Sequence, residues 1–295
     1  MIHPQTSWRA SLEARIDNRA GEIGVAPERI RRQVAFQRIL ARLADADCWV
    51  LKGGFCLETR LNVARATVDL DLVTSATVTD ALDLQDLLDV TLDRDVDRDG
   101  MTFRVGIPRI LASDDAGNAG WRIAVTATLA GRDFQSLRLD VVARPAEIAG
   151  AVEELVVPPP VAGTRLTEVT IAAADIAQHA AEKAHAYSRV YASDRSSTRV
   201  KDLVDLVLMV EAGLLDATAW AARLGHVYRI RDDGLPPTSL AEPPQSWRTP
   251  YAALAAELNL GADDLAAAHA LVAPSTRMRR RPLYPIRRGS HDAGL

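Results

Sequence analysis

The sequence predicts an α+β chain, with a mixed-sheet domain first and a helical domain second. Three observations carry this. Between residues 48 and 143, short β-branched or alternating runs are interleaved with helical patterns. The run VVPPPVAG (156–163) then interrupts the pattern with three consecutive prolines, a stiff extended segment. Every strong periodicity beyond it, from 175 to 272, is helical. The expected units are 1–157, a helical 158–276 that would complete a cleft, and an arginine-rich tail, 277–295.

The elements follow in order. Residues 27–45 form an amphipathic pattern, with Ile30, Val34, Ile39 and Leu43 near one face and Pro27 suited to a first turn. CWVLK (48–52) reads as a strand that ends at Gly53-Gly54, and FCLETRL (55–61) restarts a helix. ATVDLDLV (66–73) alternates, so it is a strand burying Val68, Leu70 and Leu72. A helix at 79–92 precedes strands at 101–107, 121–130 and 134–143, with GRD (131–133) as a hairpin turn. Helices are expected at 175–192, 197–213, 216–228, 251–258 and 262–272, with an irregular Pro-rich stretch at 234–247.

Composition narrows the function classes. With 48% hydrophobic and 25% charged residues, the 295-residue chain falls among ordinary globular proteins and not among collagen-like or disulfide-framework ones. The net charge is −4, so contact with nucleic acid must come from a local patch. Cys48 and Cys56 lack the spacing of a zinc site and read as core residues in a reducing compartment. No apolar run of signal-peptide or membrane-spanning length is present, which leads us to expect a cytoplasmic protein that does not enter the membrane.

The chemistry concentrates at 51–73. Asp69 and Asp71 are two apart on a strand, so both side chains point to one face, with their Cα atoms about 6.6 Å apart. Such a pair can converge on Mg²⁺ (or Mn²⁺), which takes hard oxygen ligands and completes its shell with substrate phosphates. The alternative is the exposed face of an amphipathic strand, but aspartate is disfavoured in strands and like charges on one face repel. Asp140, in LRLDVV, would bring a third carboxylate to that face if its strand pairs beside 66–73. Gly53-Gly54 allows the backbone close to a ligand at a helix N-terminus, where free N–H groups favour an anion.

This ordered set resembles the DNA polymerase β-like nucleotidyltransferases, and within them the AbiEii/MenT toxin group. The matching segments are Lys52-Gly53-Gly54, the strand from Arg65 through Thr67 and Asp69 to Asp71, Ala181-Glu182-Lys183, and Arg199 through Lys201-Asp202 to Asp205. The turn departs from many such enzymes in carrying Gly54-Phe55, so backbone N–H groups replace a serine hydroxyl. The resemblance implies a polymerase β-like fold and an Mg²⁺-dependent toxin that moves NMP from an NTP to RNA, with the tRNA 3′ end as acceptor and translation as the casualty. It also implies a cognate antitoxin.

In that reading Asp69 and Asp71 hold the metal with Asp140 as a weaker third carboxylate. Lys52, Gly53, Gly54, Arg65, Thr67 and Lys183 contact nucleotide. Lys183 and Asp205 are also catalytic candidates: Asp202 and Asp205 share a helix face and could pair with Lys183 or Arg199, or act on the attacking group, and Asp205 is ranked first because a helix N-terminal charge suits Asp202 better. Thr67 is a candidate phosphorylation point, where added charge would compete for the metal, though it is equally an ordinary strand threonine. Arg277, Arg279, Arg280, Arg281, Arg287 and Arg288, with Tyr284 among them, form either a solvated end or a grip on an RNA backbone. Two alternatives stand: transfer to a protein or small-molecule hydroxyl, and a non-catalytic module on the same fold.

Overall fold

The structure is a computed structural model that describes residues 4–61, 65–111, 120–143, 146, 148, 152–189 and 199–276. One mixed sheet contains β1 (Trp49–Lys52), β2 (Asp69–Thr74), β3 (Met101–Val105), β4 (Arg109–Ile110), β5 (Trp121–Leu129), β6 (Arg132–Val142), β7 (Glu153–Val157) and β8 (Val169–Ala173). Their order is β3-β5-β6-β2-β1-β8-β7, with the short β4 also on β5. The β2–β6 and β1–β8 pairs are parallel and the others antiparallel.

Helices α1 (Pro4–Ile23), α2 (Pro27–Leu43) and α4 (Ala81–Leu92) share a core with the sheet. Leu12, Ile16, Ile30, Ile39, Leu84 and Leu88 join Leu51, Leu70, Leu72, Leu139 and Val141 there. Because side chains alternate along a strand, the residues between those apolar positions stand on the opposite face. These are Lys52, Asp69, Asp71 and Asp140, and burying one face of the sheet is what presents them together.

The helical half contains α5 (Ile176–Ser188), α6 (Val200–Glu211), α7 (Ala217–Asp232), α8 (Arg248–Leu258) and α9 (Leu265–Thr276), with a short 3₁₀ turn at Gln245–Trp247. Alanines of α5 let it lie close to α6, and Leu203, Val207, Trp220 and Tyr251 fill the second core. Asp175 caps α5 by accepting from Gln178 N, and its other oxygen holds Arg223 of α7. Between the two halves, α3 (Gly53–Arg60) places Phe55 and Cys56 in the first core and Leu57 in the second. No helix among the described residues is long and apolar enough to cross a membrane.

Every expected element between 27 and 143 is present, with shifted ends. Strand β2 begins at Asp69, and Val68, expected to be buried, is half exposed beyond it. The hairpin turn is Ala130-Gly131 and not 131–133. Both residues have positive φ, the backbone that matches the twist of a two-residue hairpin. Helix α1 and strands β7 and β8 were not expected. The proline run lies between β7 and β8, and the first core continues through Val161, Leu166 and Ile171 to Ala173. The first core therefore extends past 157, where the boundary was expected.

Candidate active site

Strand register assembles the site. Lys52 lies opposite Asp71, Asp71 beside Asp140, Asp140 opposite Arg122, and Arg122 opposite Arg109. One row of charged residues thus crosses β1, β2, β6, β5 and β4. A second row on the same face pairs Asp69 with Arg138.

The glycine turn packs against this row. Gly53 adopts φ +70°, and a Cβ there would stand 1.8 Å from Asp71 Oδ2. A Cβ on Gly54 would stand 2.6 Å from Thr67 Oγ1. Both glycines are therefore required by contact with β2 and the residue leading into it, and the N-terminal turn of α3 abuts the carboxylates. Thr67 is buried and its hydroxyl donates to the Asp69 carbonyl at 3.2 Å. A phosphoryl group on it would have to displace Gly54.

The carboxylates differ in their partners. Arg122 takes both oxygens of Asp140, at 2.8 and 2.6 Å. Arg138 Nε lies 2.8 Å from Asp69 Oδ1 but is not aligned to donate, so this buried oxygen accepts no hydrogen bond. Burial raises the Asp69 carboxyl, against the lowering effect of Arg138. Asp71 is more strongly affected: burial pushes its pKa up to about 6, opposed by Lys52 and reinforced by Asp140. Among the described residues no three His, Cys, Asp or Glu side chains gather closely enough to hold a cation. Arg122 holds Asp140, the expected third carboxylate. Asp69 and Asp71 remain as hard oxygen donors, one with an unsatisfied buried oxygen, which is the chemistry Mg²⁺ or Mn²⁺ requires.

The helical half supplies cations from the other side. Lys183, on α5, lies 3.0 Å from Asp205 and 3.2 Å from Asp202, both on α6. Arg65 grips both oxygens of Asp205 at 2.9 Å, and Arg199 pairs with Asp202 at 3.1 Å. Burial alone would raise the Asp205 carboxyl, but Lys183 and Arg65 outweigh it and hold it below the ordinary range. Burial alone would lower Lys183, but Asp205 and then Asp202 hold it raised and charged. Lys52 reaches Glu182 at 3.7 Å, and Glu182 also meets Arg231. Burial opposes ionisation of Glu182, yet Lys52 and Arg231 bring its pKa down to about 2.

The structure thus brings Lys52, Gly53, Gly54, Thr67, Asp69, Asp71 and Asp140 together on and beside one sheet face, with Arg65, Lys183 and Asp205 forming an adjoining ion-pair group. The six tail arginines and Tyr284 lie outside the described residues. The cysteines are free, and burial pushes the Cys56 thiol up to about 12, which keeps it protonated and inert. Residues missed from the sequence are Arg109, Arg122 and Arg138. The spacing Arg138-Leu139-Asp140 was the available signal, since it sets a cation on the same face as the carboxylate.

A model of the family described as "Nucleotidyl transferase AbiEii toxin, Type IV TA system" matches residues 35–274. No curated protein matches the sequence. Among solved structures the chain is similar to MenT4, a nucleotidyltransferase toxin from Mycobacterium tuberculosis, at TM-score 0.52 and 20% identity, covering 90% of this chain and 88% of that one. It is also similar to JHP933 from Helicobacter pylori, at TM-score 0.47 and 18% identity, covering 85% and 91%.

Proposed function

The chain belongs to the AbiEii family of nucleotidyltransferase toxins from type IV toxin–antitoxin systems, and on that premise we propose that it transfers a nucleoside monophosphate from an NTP to an RNA acceptor, the 3′ end of tRNA. Blocking that end would prevent aminoacylation and stop translation. The observation that carries the reading is the pair Asp69 and Asp71 beside a glycine turn that no larger residue could replace.

Asp69 and Asp71 would hold Mg²⁺ or Mn²⁺, which when bound neutralises the triphosphate and stabilises charge on the departing pyrophosphate. The chain's own groups do the rest. Lys52, Lys183 and the backbone N–H groups at Gly53-Gly54 form the cationic side of the cleft and suit a triphosphate. The acceptor hydroxyl attacks the α-phosphorus as the bond to pyrophosphate breaks. We assign Asp140 to take the hydroxyl proton once Arg122 releases one of its oxygens. Arg65 and Asp205 fix the Lys183 ammonium in place. Phosphorylation of Thr67 would add about 1.5–2 negative charges beside Asp69 and part β2 from α3, shutting the site. The family implies an antitoxin as partner.

The test incubates purified protein with α-³²P-labelled NTPs, Mg²⁺ and cell extract, then separates RNA from protein and small molecules. Label should enter RNA at tRNA size, disappear with EDTA, and disappear in Asp69→Asn. Label in the protein or small-molecule fraction would redirect the acceptor. Undiminished labelling by Asp69→Asn would remove the site assignment.

A further inference from the structure

Beyond the carboxylates the sheet face carries a cleft of about 720 Å³, lined by Arg32, Arg109, Arg122 and Arg138 with Val68 and Ile107 between them. Among the described residues its charge is only partly paired. Arg109 and Arg122 are directly opposite each other on β4 and β5, and like charges in that position repel. Arg122 is neutralised by Asp140 and Arg138 faces Asp69, but among the described residues Arg109 has no carboxylate partner, and it lies exposed. A bridging anion would relieve the pair. Val68 and Ile107 are half or more exposed, so apolar surface is available alongside the guanidinium groups. The volume lies within the range of small-ligand sites and is large enough for a nucleotide.

Position decides which anion. In the sheet, Lys52 lies on one side of Asp71 and Arg122 and Arg109 lie on the other, so the carboxylates separate two cationic flanks. The flank with the glycine turn and Lys183 suits a triphosphate. A transfer reaction needs a second substrate in line across the carboxylates. We propose that the arginine cleft binds the phosphodiester backbone of the acceptor RNA strand, and that Arg122 and Arg138 are exchangeable counter-ions. In the free protein they neutralise Asp140 and Asp69. Acceptor phosphates draw them away and release those carboxylates for the reaction. This rests on the nucleotidyl-transfer reading of the same site.

The test measures binding of a short fluorescein-labelled single-stranded RNA to the full chain by anisotropy, with EDTA present so that no transfer occurs. A fluorescent NTP analogue with Mg²⁺ is titrated in parallel. Arg109→Gln and Arg138→Gln should each weaken RNA binding by about 5–10-fold and flatten the slope of log Kd against log salt by about 0.7 per lost contact. NTP binding by Arg109→Gln should stay within about twofold of the unmodified protein. Arg109 is exposed and, among the described residues, unpaired, so its variant tests the cleft without a folding penalty. Asp140→Asn should tighten RNA binding severalfold, because it removes the carboxylate that competes for Arg122. Unchanged RNA affinity in both arginine variants would overturn the cleft, as would absence of RNA binding by the unmodified protein. Loss of NTP binding in place of RNA binding would reassign the cleft to the triphosphate. Unchanged affinity in Asp140→Asn would remove the counter-ion exchange. Because these readouts need no catalysis, they stand apart from the Asp69→Asn labelling result.

Discussion

Gly53 and Asp71 behave as one unit, because the glycine's missing side chain is the space the carboxylate occupies. Gly53→Ala should lower transfer by at least about a hundredfold, since the carboxylate must move by an ångström or more, and cost about 1–2 kcal/mol for the left-handed backbone. Gly24 supplies the control: it has φ +68° but nothing within 4 Å of a new Cβ. Gly24→Ala should show a similar stability loss by urea unfolding with transfer intact. Asp71 has its own signature. Its pKa is raised to about 6 from an ordinary value of 3.8, so above pH 6 it is ionised in both folded and unfolded chains, and the folded state bears the burial cost. Asp71→Asn should therefore abolish transfer while stabilising the fold in EDTA, by on the order of 3 kcal/mol. That gain should shrink as pH falls from 6 and vanish below about 4, where both forms are neutral. Thermal melts across that range check it, and a gain independent of pH would contradict the burial account. The sequence revealed the two aspartates and two glycines as separate motifs. It did not show that they touch, because contact between α3 and β2 is tertiary.

At the scale of the element, α6 carries two aspartates three residues apart whose roles separate on packing. Asp205 is almost wholly buried and holds both Arg65 and Lys183, whereas Asp202 shares Lys183 and otherwise meets the more exposed Arg199. Removing one member of a buried ion group leaves uncompensated charge and costs about 3–5 kcal/mol. Asp205→Ala should lose stability on that scale by denaturant titration, and Asp202→Ala clearly less. A loss of activity in Asp205→Ala is then read against its folded fraction. Helical spacing was enough to put both residues on one face, and the helix N-terminus, which favours a structural charge at Asp202, ranked Asp205 first. Their partners were legible only in part: Lys183 and Arg199 were, while Arg65, 140 positions away in sequence, was expected at the nucleotide. Arg138 stands two residues before Asp140 and was open to a local reading, but the arginines of β4 and β5 went unread because nothing local distinguishes a cation in a strand from a solvated one. Their meaning depends on which strands are neighbours, and the parallel β2–β6 pairing joins segments far apart in the chain.

For the whole molecule, the active face exists because the opposite face of the sheet is sealed, and α1 helps to seal it although it precedes residue 35, where the family match begins. Leu12 and Ile16 are fully buried in the first core. Arg9 donates to the carbonyls of Leu129, Arg132 and Asp133 at the β5–β6 hairpin, and the Trp8 indole donates to the Asp99 carbonyl. The N-terminal segment gave no strong amphipathic signal because α1 contacts its neighbours with few apolar side chains and several charged ones. Strands β7 and β8 escaped for a related reason: they are five residues each, and the alanines of β8 carry little strand preference. Each becomes a strand by pairing with the other, with β8 also joining β1. The consequence for α1 can be measured. Leu12→Ala should destabilise the protein by about 2–5 kcal/mol, the cost of a buried leucine with its cavity, and lower transfer only through the folded fraction. Residues 1–23 removed together would strip α2 of its cover, so the shortened chain should lose its cooperative melt and its transfer activity with it. A shortened chain that melts as sharply as the full one and still labels RNA would mean the sheet is held by α2 and α4 alone, and that α1 is an attachment to the fold and not part of what aligns the charged row across it.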